Sequence, residues 1–182
     1  PVPLSHIWLR HFVKAGDNVV DATCGNGQDT IFLAELVEKA GKVWAFDIQQ
    51  EAILKTYSLL ENHGFAERVE LVNCGHQHLA ECIKVPVTAV VFNLGYLPGG
   101  DRNITTVACT TISALDQAVR LLAPGGIAAI TVYPGHDSGA DEASAVKNWA
   151  TALDPQKFHP WLMGQMNVPV TAPYFILIQK GL

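Results

Sequence analysis

The run Asp21-Ala22-Thr23-Cys24-Gly25-Asn26-Gly27-Gln28-Asp29-Thr30 follows two valines and precedes an apolar helix pattern. A strand runs into a glycine turn, and the turn opens a helix. Glycine lets the backbone approach a ligand closely, and a helix start offers N–H groups without intrahelical partners. Twenty residues after Gly27, a second apolar segment ends in Phe46-Asp47-Ile48. A carboxylate there can accept both hydroxyls of a ribose. Together these residues describe a nucleotide-cofactor site, formed by Asp21, Thr23, Cys24, Gly25, Asn26, Gly27, Asp47 and Ile48.

The loop lacks the third glycine of a dinucleotide fingerprint, because Thr30 stands there. Asp21 adds a carboxylate that would repel a pyrophosphate. S-adenosylmethionine (SAM) has a ribose and an adenine but no phosphate, and a carboxylate suits its cationic methionine end. The plain alternatives are an ordinary strand-to-helix turn for the loop and a helix N-cap for Asp47.

A second segment reads Phe92-Asn93-Leu94-Gly95-Tyr96-Leu97-Pro98-Gly99-Gly100-Asp101. A polar side chain at a strand end is followed by a flexible turn and an aromatic ring. This is similar to the Asn-Pro-Pro-Tyr signature of amino-group methyltransferases, with Leu94-Gly95 in place of the prolines. A nitrogen nucleophile has to present its lone pair to the methyl group. The Asn93 side-chain oxygen and a backbone carbonyl near Leu94 and Gly95 are candidate acceptors for its N–H bonds. Tyr96 is a candidate to stack on a planar base. A glycine-rich loop with Asn93 as a turn residue is the alternative. Tyr133-Pro134-Gly135-His136 lies on the same sheet edge; Tyr133 is a candidate pocket wall, and His136 or Asp101 a candidate proton acceptor.

Cys74-Gly75-His76-Gln77-His78 invites a metal reading but has no second ligand pair at a known spacing. No metal is expected. His76 is assigned to the turn beside the adenine.

The elements that position these residues alternate along the chain. Strands are expected at 18–23, 42–47, 69–72, 89–93, 127–133, 158–165 and 174–180. Helices are expected at 28–40, 50–63, 78–83, 105–122 and 140–153. Strands alternating with helices predict a mostly parallel sheet with helices on both faces. The last two strands have no room for a helix between them and should pair antiparallel. The ligand crevice is expected at the carboxyl ends of the first, second and fourth strands.

At 182 residues the chain is expected to form one domain, 1–182. With 49% hydrophobic and 16% charged residues it is not a disordered chain. No apolar run is long enough to span a bilayer, and 1–14 carry no signal-peptide pattern. Pro1 stands where an initiator Met is expected, which implies a processed or trimmed chain. Four cysteines without CxxC spacing point to a reduced, cytoplasmic protein. A net charge of −5 gives bulk support to no nucleic-acid partner. A local basic patch would have to come from Arg10, Lys14, Arg68, Arg102 and Lys147. Trp149 and Trp161 are expected in the core or at its rim.

The glycine loop, the Asn93–Asp101 segment and Tyr133–His136 together resemble the YtqB-like "putative rRNA methylase" family, over nearly the whole chain. The resemblance implies the class I SAM-dependent methyltransferase fold, Rossmann-like, with seven strands and an antiparallel last strand. It also implies tRNA as substrate. Members of the MnmM type methylate 5-aminomethyl-2-thiouridine at the wobble position to the methylaminomethyl form. That alkyl amine acceptor agrees with the reading of Asn93–Tyr96. Cys74-Gly75 depart from the acidic residue that many class I enzymes carry after the third strand. With no separate RNA-binding domain, the RNA would be held by the catalytic domain or across a homodimer. The rival readings are methylation of rRNA or of a small amine and, in another class, an NAD-dependent oxidoreductase.

Overall fold

The computed structural model describes residues 2–97, 99, 104–135 and 139–182. Helix α1 (Val2–Phe12) leads into β1 (Asn18–Asp21), α2 (Gln28–Val37), β2 (Lys42–Phe46), α3 (Gln50–His63) and β3 (Val69–Val72). The short α4 (Leu79–Cys82) precedes β4 (Val87–Leu94), α5 (Ala108–Leu121) and β5 (Leu122–Val132). The chain then forms α6 (Gly139–Thr151), β6 (Phe158–Met163) and β7 (Tyr174–Lys180). The seven strands lie in the order β3-β2-β1-β4-β5-β7-β6. Only β7 runs against its neighbours, pairing antiparallel with both β5 and β6.

Adjacent strand residues point to opposite faces, so the central strands are apolar throughout. Val19, Val43, Ala89, Val91, Ile127 and Phe175 face one layer with α1 and α2. Val20, Trp44, Val90, Phe92, Ile130 and Ile176 face the other with α5 and α6. The helix after β1 and the helix after β4 therefore leave on opposite faces. This opens a crevice between the two neighbouring strands at their carboxyl ends, where ligands bind in sheets of this kind.

The structure departs from the sequence expectations in specific places. Helix α1 was not expected; it packs Leu9 into the core beside Phe32 and Leu33, joined by Val13 just after its end. Helix α5 starts at Ala108 rather than 105, because 105–107 is held extended. There Tyr96 bridges Thr105, and Thr106 N–H donates to the Gly95 carbonyl at 3.0 Å. Helix α2 stops at Val37 because Glu38 takes a positive φ of 56°. Strand β5 begins at Leu122, ahead of the Pro124-Gly125-Gly126 turn, which breaks the register with β4 between Val87 and Ala89. Among the described residues, no helix is long and apolar enough to cross a membrane.

Candidate active site

The glycine loop closes with Gly27 N–H donating to the Cys24 carbonyl at 2.8 Å. Gly25 and Gly27 hold φ of +52° and +83°. A Cβ on Gly27 would sit 2.9 Å from Thr56 Oγ1 and 3.2 Å from Thr56 Cα. The second glycine thus serves both a left-handed backbone and the close passage of α3. Thr56 in turn donates its hydroxyl to the Gly25 carbonyl at 3.1 Å.

Asp47 faces this loop from the end of β2. One carboxylate oxygen accepts Gly25 N–H at 3.0 Å and the other accepts Gln49 N–H at 2.9 Å. A carboxylate has about four acceptor positions, so each oxygen can still take a hydroxyl. Burial pushes Asp47 up from the usual carboxylate range, and the backbone donors Gln49, Gly25 and Ile48 oppose that shift. A cavity of about 260 Å³ opens here, bordered by Gly25, Asp47, Ile48, His76, Asn93 and Tyr96. Burial holds His76 down at about 4, so its ring is neutral, and it bonds the Ala22 carbonyl. It meets Phe92 edge-on, with centroids 5.9 Å apart. Among the described residues, no group of three or more His, Cys, Asp or Glu is placed to hold a metal ion.

A second cavity, of about 730 Å³, adjoins the first. Thr23, Gly25, Asn93, Gly95 and Tyr96 border both. Cys24, Asn26, Asp29 and Tyr133 border the second alone. Asn93 is fixed twice at this junction. Its backbone N–H donates to Thr23 Oγ1 at 2.8 Å, and its side-chain Nδ2 donates to Asp29 Oδ2 at 2.6 Å. Burial, then the Asp29 charge, raises the Tyr133 phenol, which keeps it protonated as a donor. Burial likewise raises the Cys24 thiol, so it is no nucleophile.

Three expected site residues, Gly27, Leu94 and Asp21, border neither cavity. Leu94 is fully buried, and its carbonyl accepts Tyr133 N–H at 3.3 Å as part of the sheet. The neighbouring Gly95 carbonyl is taken by Thr106. Each of these carbonyls thus carries one backbone donor and keeps one further acceptor position. Asp21 is fully buried beneath the loop and accepts Thr23 N–H at 3.2 Å and the Thr30 hydroxyl at 2.7 Å. Thr30, where a third glycine would stand, thus ties the loop to its own strand. Asp101 and His136 lie outside the described residues, as does Arg102. Arg10 packs over Phe32 and Arg68 over Phe65, and Arg68 donates to the Ala34 carbonyl.

Desolvation, reinforced by the nearby Asp29 carboxylate, pushes Asp21 up to about 7. An unfolded aspartate loses its proton near pH ~4. Between those values the folded protein binds more protons than the unfolded chain. The contribution of this group is therefore most favourable below the unfolded value and declines as pH rises towards the folded one. Denaturant titrations from pH 5 to 8 should show a loss on the order of 3 kcal/mol from this residue. The stability difference between wild type and Asp21→Asn should change by that amount across this range, in the direction of a loss for the wild type as pH rises. Parallel curves for the two proteins would contradict it. The comparison isolates Asp21 from His76, whose burial acts in the opposite sense.

Sequence reasoning missed two supports. Asp29 stood in the loop motif with no role assigned, although an acidic residue in a first helical turn beside a ligand loop was a signal. Glu142, on α6, is buried and accepts the hydroxyls of Thr106 at 2.7 Å and Thr111 at 2.6 Å. It anchors the segment that walls the smaller cavity, and no local pattern announces that pairing.

Known proteins carry the same architecture. Residues 43–179 match the family described as "Putative rRNA methylase". The chloroplastic tRNA (mnm5s2U34)-methyltransferase of Arabidopsis thaliana is 37% identical over 187 residues, covering 97% of this chain and 68% of that protein. The chain spans about half the length of other curated relatives, ubiquinone/menaquinone C-methyltransferases, at 47% of one from Neisseria meningitidis. A "putative rRNA-methylase" structure from Clostridium thermocellum superimposes with a TM-score of 0.97 at 44% identity, covering 98% of this chain and 96% of that one. A "putative methyltransferase" from Streptococcus mutans, in complex with S-adenosylhomocysteine (SAH), gives 0.90 at 38% identity, covering 99% and 97%. The sheet order, the crevice at its switch point and these likenesses make the fold that of class I methyltransferases. The chain belongs to the "Putative rRNA methylase" family of SAM-dependent methyltransferases.

Proposed function

We propose that this chain is a single catalytic domain that methylates an alkyl amine on tRNA. The acceptor is 5-aminomethyl-2-thiouridine at the wobble position and the product its methylaminomethyl form. The observation that carries the reading is Asn93, held at the junction of two cavities with its amide nitrogen committed to Asp29. Its oxygen is then the atom available to an amine N–H. The name of the Arabidopsis relative supports the tRNA nucleoside.

The residues around the smaller cavity fit SAM. Asp47 retains acceptor capacity for ribose hydroxyls, Ile48 offers an apolar wall that is 58% exposed, and His76 is a neutral neighbour for an adenine. Thr23, Cys24, Gly25, Asn26 and Gly27 form the loop against the methionine end. Three carboxylates, Asp21, Asp29 and Asp47, surround this loop, a poor setting for the pyrophosphate of a dinucleotide. When bound, SAM supplies an electrophilic methyl group. The chain has to orient the amine and remove its proton, because an alkyl amine is mostly charged near neutral pH. Asn93 orients it, Tyr96 and Tyr133 wall the base, and Gly95 leaves room for it. Asp101 and His136 are the proposed proton acceptors. The four free thiols support a cytoplasmic setting. On the outer strand β6, Trp161 is 60% and Leu162 58% exposed, which supports a homodimer as the assembly that holds the RNA. Calorimetric titration with SAH and with NAD tests the cofactor; tight SAH binding and no NAD binding is expected, and the reverse would overturn the reading.

A further inference from the structure

Asp29 sits in the first turn of α2 and is 7% exposed. Both of its oxygens are engaged. Oδ2 accepts Asn93 Nδ2 at 2.6 Å, and Oδ1 accepts His6 Nε2 at 2.6 Å. His6 comes from α1. Its ring lies flat on Phe32, with centroids 3.8 Å apart and planes 6° apart. Phe32 also packs against the Arg10 guanidinium at 4.8 Å, so α1 is clasped to α2 at this point.

An ionised carboxylate only accepts hydrogen bonds. The Asn93 amide must turn its nitrogen to Asp29, since the flipped amide would set oxygen against oxygen. That leaves Oδ1 for the cavities. His6 donates to the other oxygen and keeps the carboxylate from rotating away. The geometry points to His6 as a positioning residue of the acceptor site, holding Asp29 so that Asp29 locks Asn93 with Oδ1 towards an amine. The inference rests on the amine-methyltransferase reading. It gives helix α1, which precedes the glycine loop, a part in turnover.

Two variants test it. His6→Phe keeps a ring on Phe32 and removes the donor; His6→Gln returns a donor near the Nε2 position. His6→Phe should lower kcat about 10-fold, with KM for RNA and SAH affinity within about twofold. His6→Gln should recover most of that loss. A readout independent of turnover comes from the side-chain NH2 signals of Asn93 in the nuclear magnetic resonance spectrum of the full chain, assigned by their loss in Asn93→Ser. They should shift and exchange faster with water in His6→Phe and stay near the wild-type values in His6→Gln. Unchanged Asn93 signals in His6→Phe, or a His6→Gln as impaired as His6→Phe, would overturn the inference. Because that spectrum needs no substrate, failure of wild-type methyl transfer would count against the amine reading alone.

Discussion

Asn93→Ala is expected to lower turnover about 10²-fold while leaving SAH affinity within about twofold. Misplacing a reacting group by about 1 Å costs a factor of this size, roughly 2.7 kcal/mol of barrier. Alanine removes the oxygen that would accept the amine N–H and the nitrogen that binds Asp29. It leaves the backbone N–H that donates to Thr23, so the shape of the β4 end survives. Asp29 keeps His6 as a partner. Glycine-loop contacts and Asp47 are untouched, which is why cofactor affinity should hold. Single-turnover methyl transfer alongside calorimetric SAH titration separates the two quantities. Equal loss of both would mean that Asn93 serves the cofactor rather than the acceptor.

Asp47→Ala is expected to show the opposite split. SAH affinity should weaken about 10²-fold, while kcat at saturating SAM stays near the wild-type value. The substitution deletes the ribose acceptor and also releases Gly25 N–H, which the carboxylate holds at 3.0 Å. Hydrogen bonds to a charged group contribute about 1.5–3 kcal/mol each, so losing them reaches this magnitude. A KM for SAM unchanged in Asp47→Ala would remove Asp47 from the cofactor site.

The parts of the site that were legible in sequence are those written locally. A strand, a glycine turn and a helix start adjoin in sequence, so β1, the loop and α2 could be read together. Asp47 and Asn93 each close an apolar strand, and strand ends share one edge of a parallel sheet. The antiparallel β7 followed from the short connection after β6. What stayed hidden depends on tertiary pairing. Asp29 and His6 are 23 residues apart, and only the packing of α1 on α2 brings them to 2.6 Å. Helix α1 does carry an apolar stripe at Leu4, Trp8, Leu9 and Phe12, but Pro3 in its first turn obscures the pattern. Glu142 reaches Thr106 and Thr111 only because α6 packs on α5. The Leu94 carbonyl, read as part of a loop, belongs to the sheet because β4 continues through Leu94 beside β5.

Nucleoside mass spectrometry on tRNA carrying 5-aminomethyl-2-thiouridine, incubated with the protein and SAM, tests the central claim most directly. The account predicts the gain of one methyl group on that nucleoside and none on rRNA treated in parallel. An unmodified wobble nucleoside, with SAH still binding and a methyl group appearing on rRNA, would contradict it.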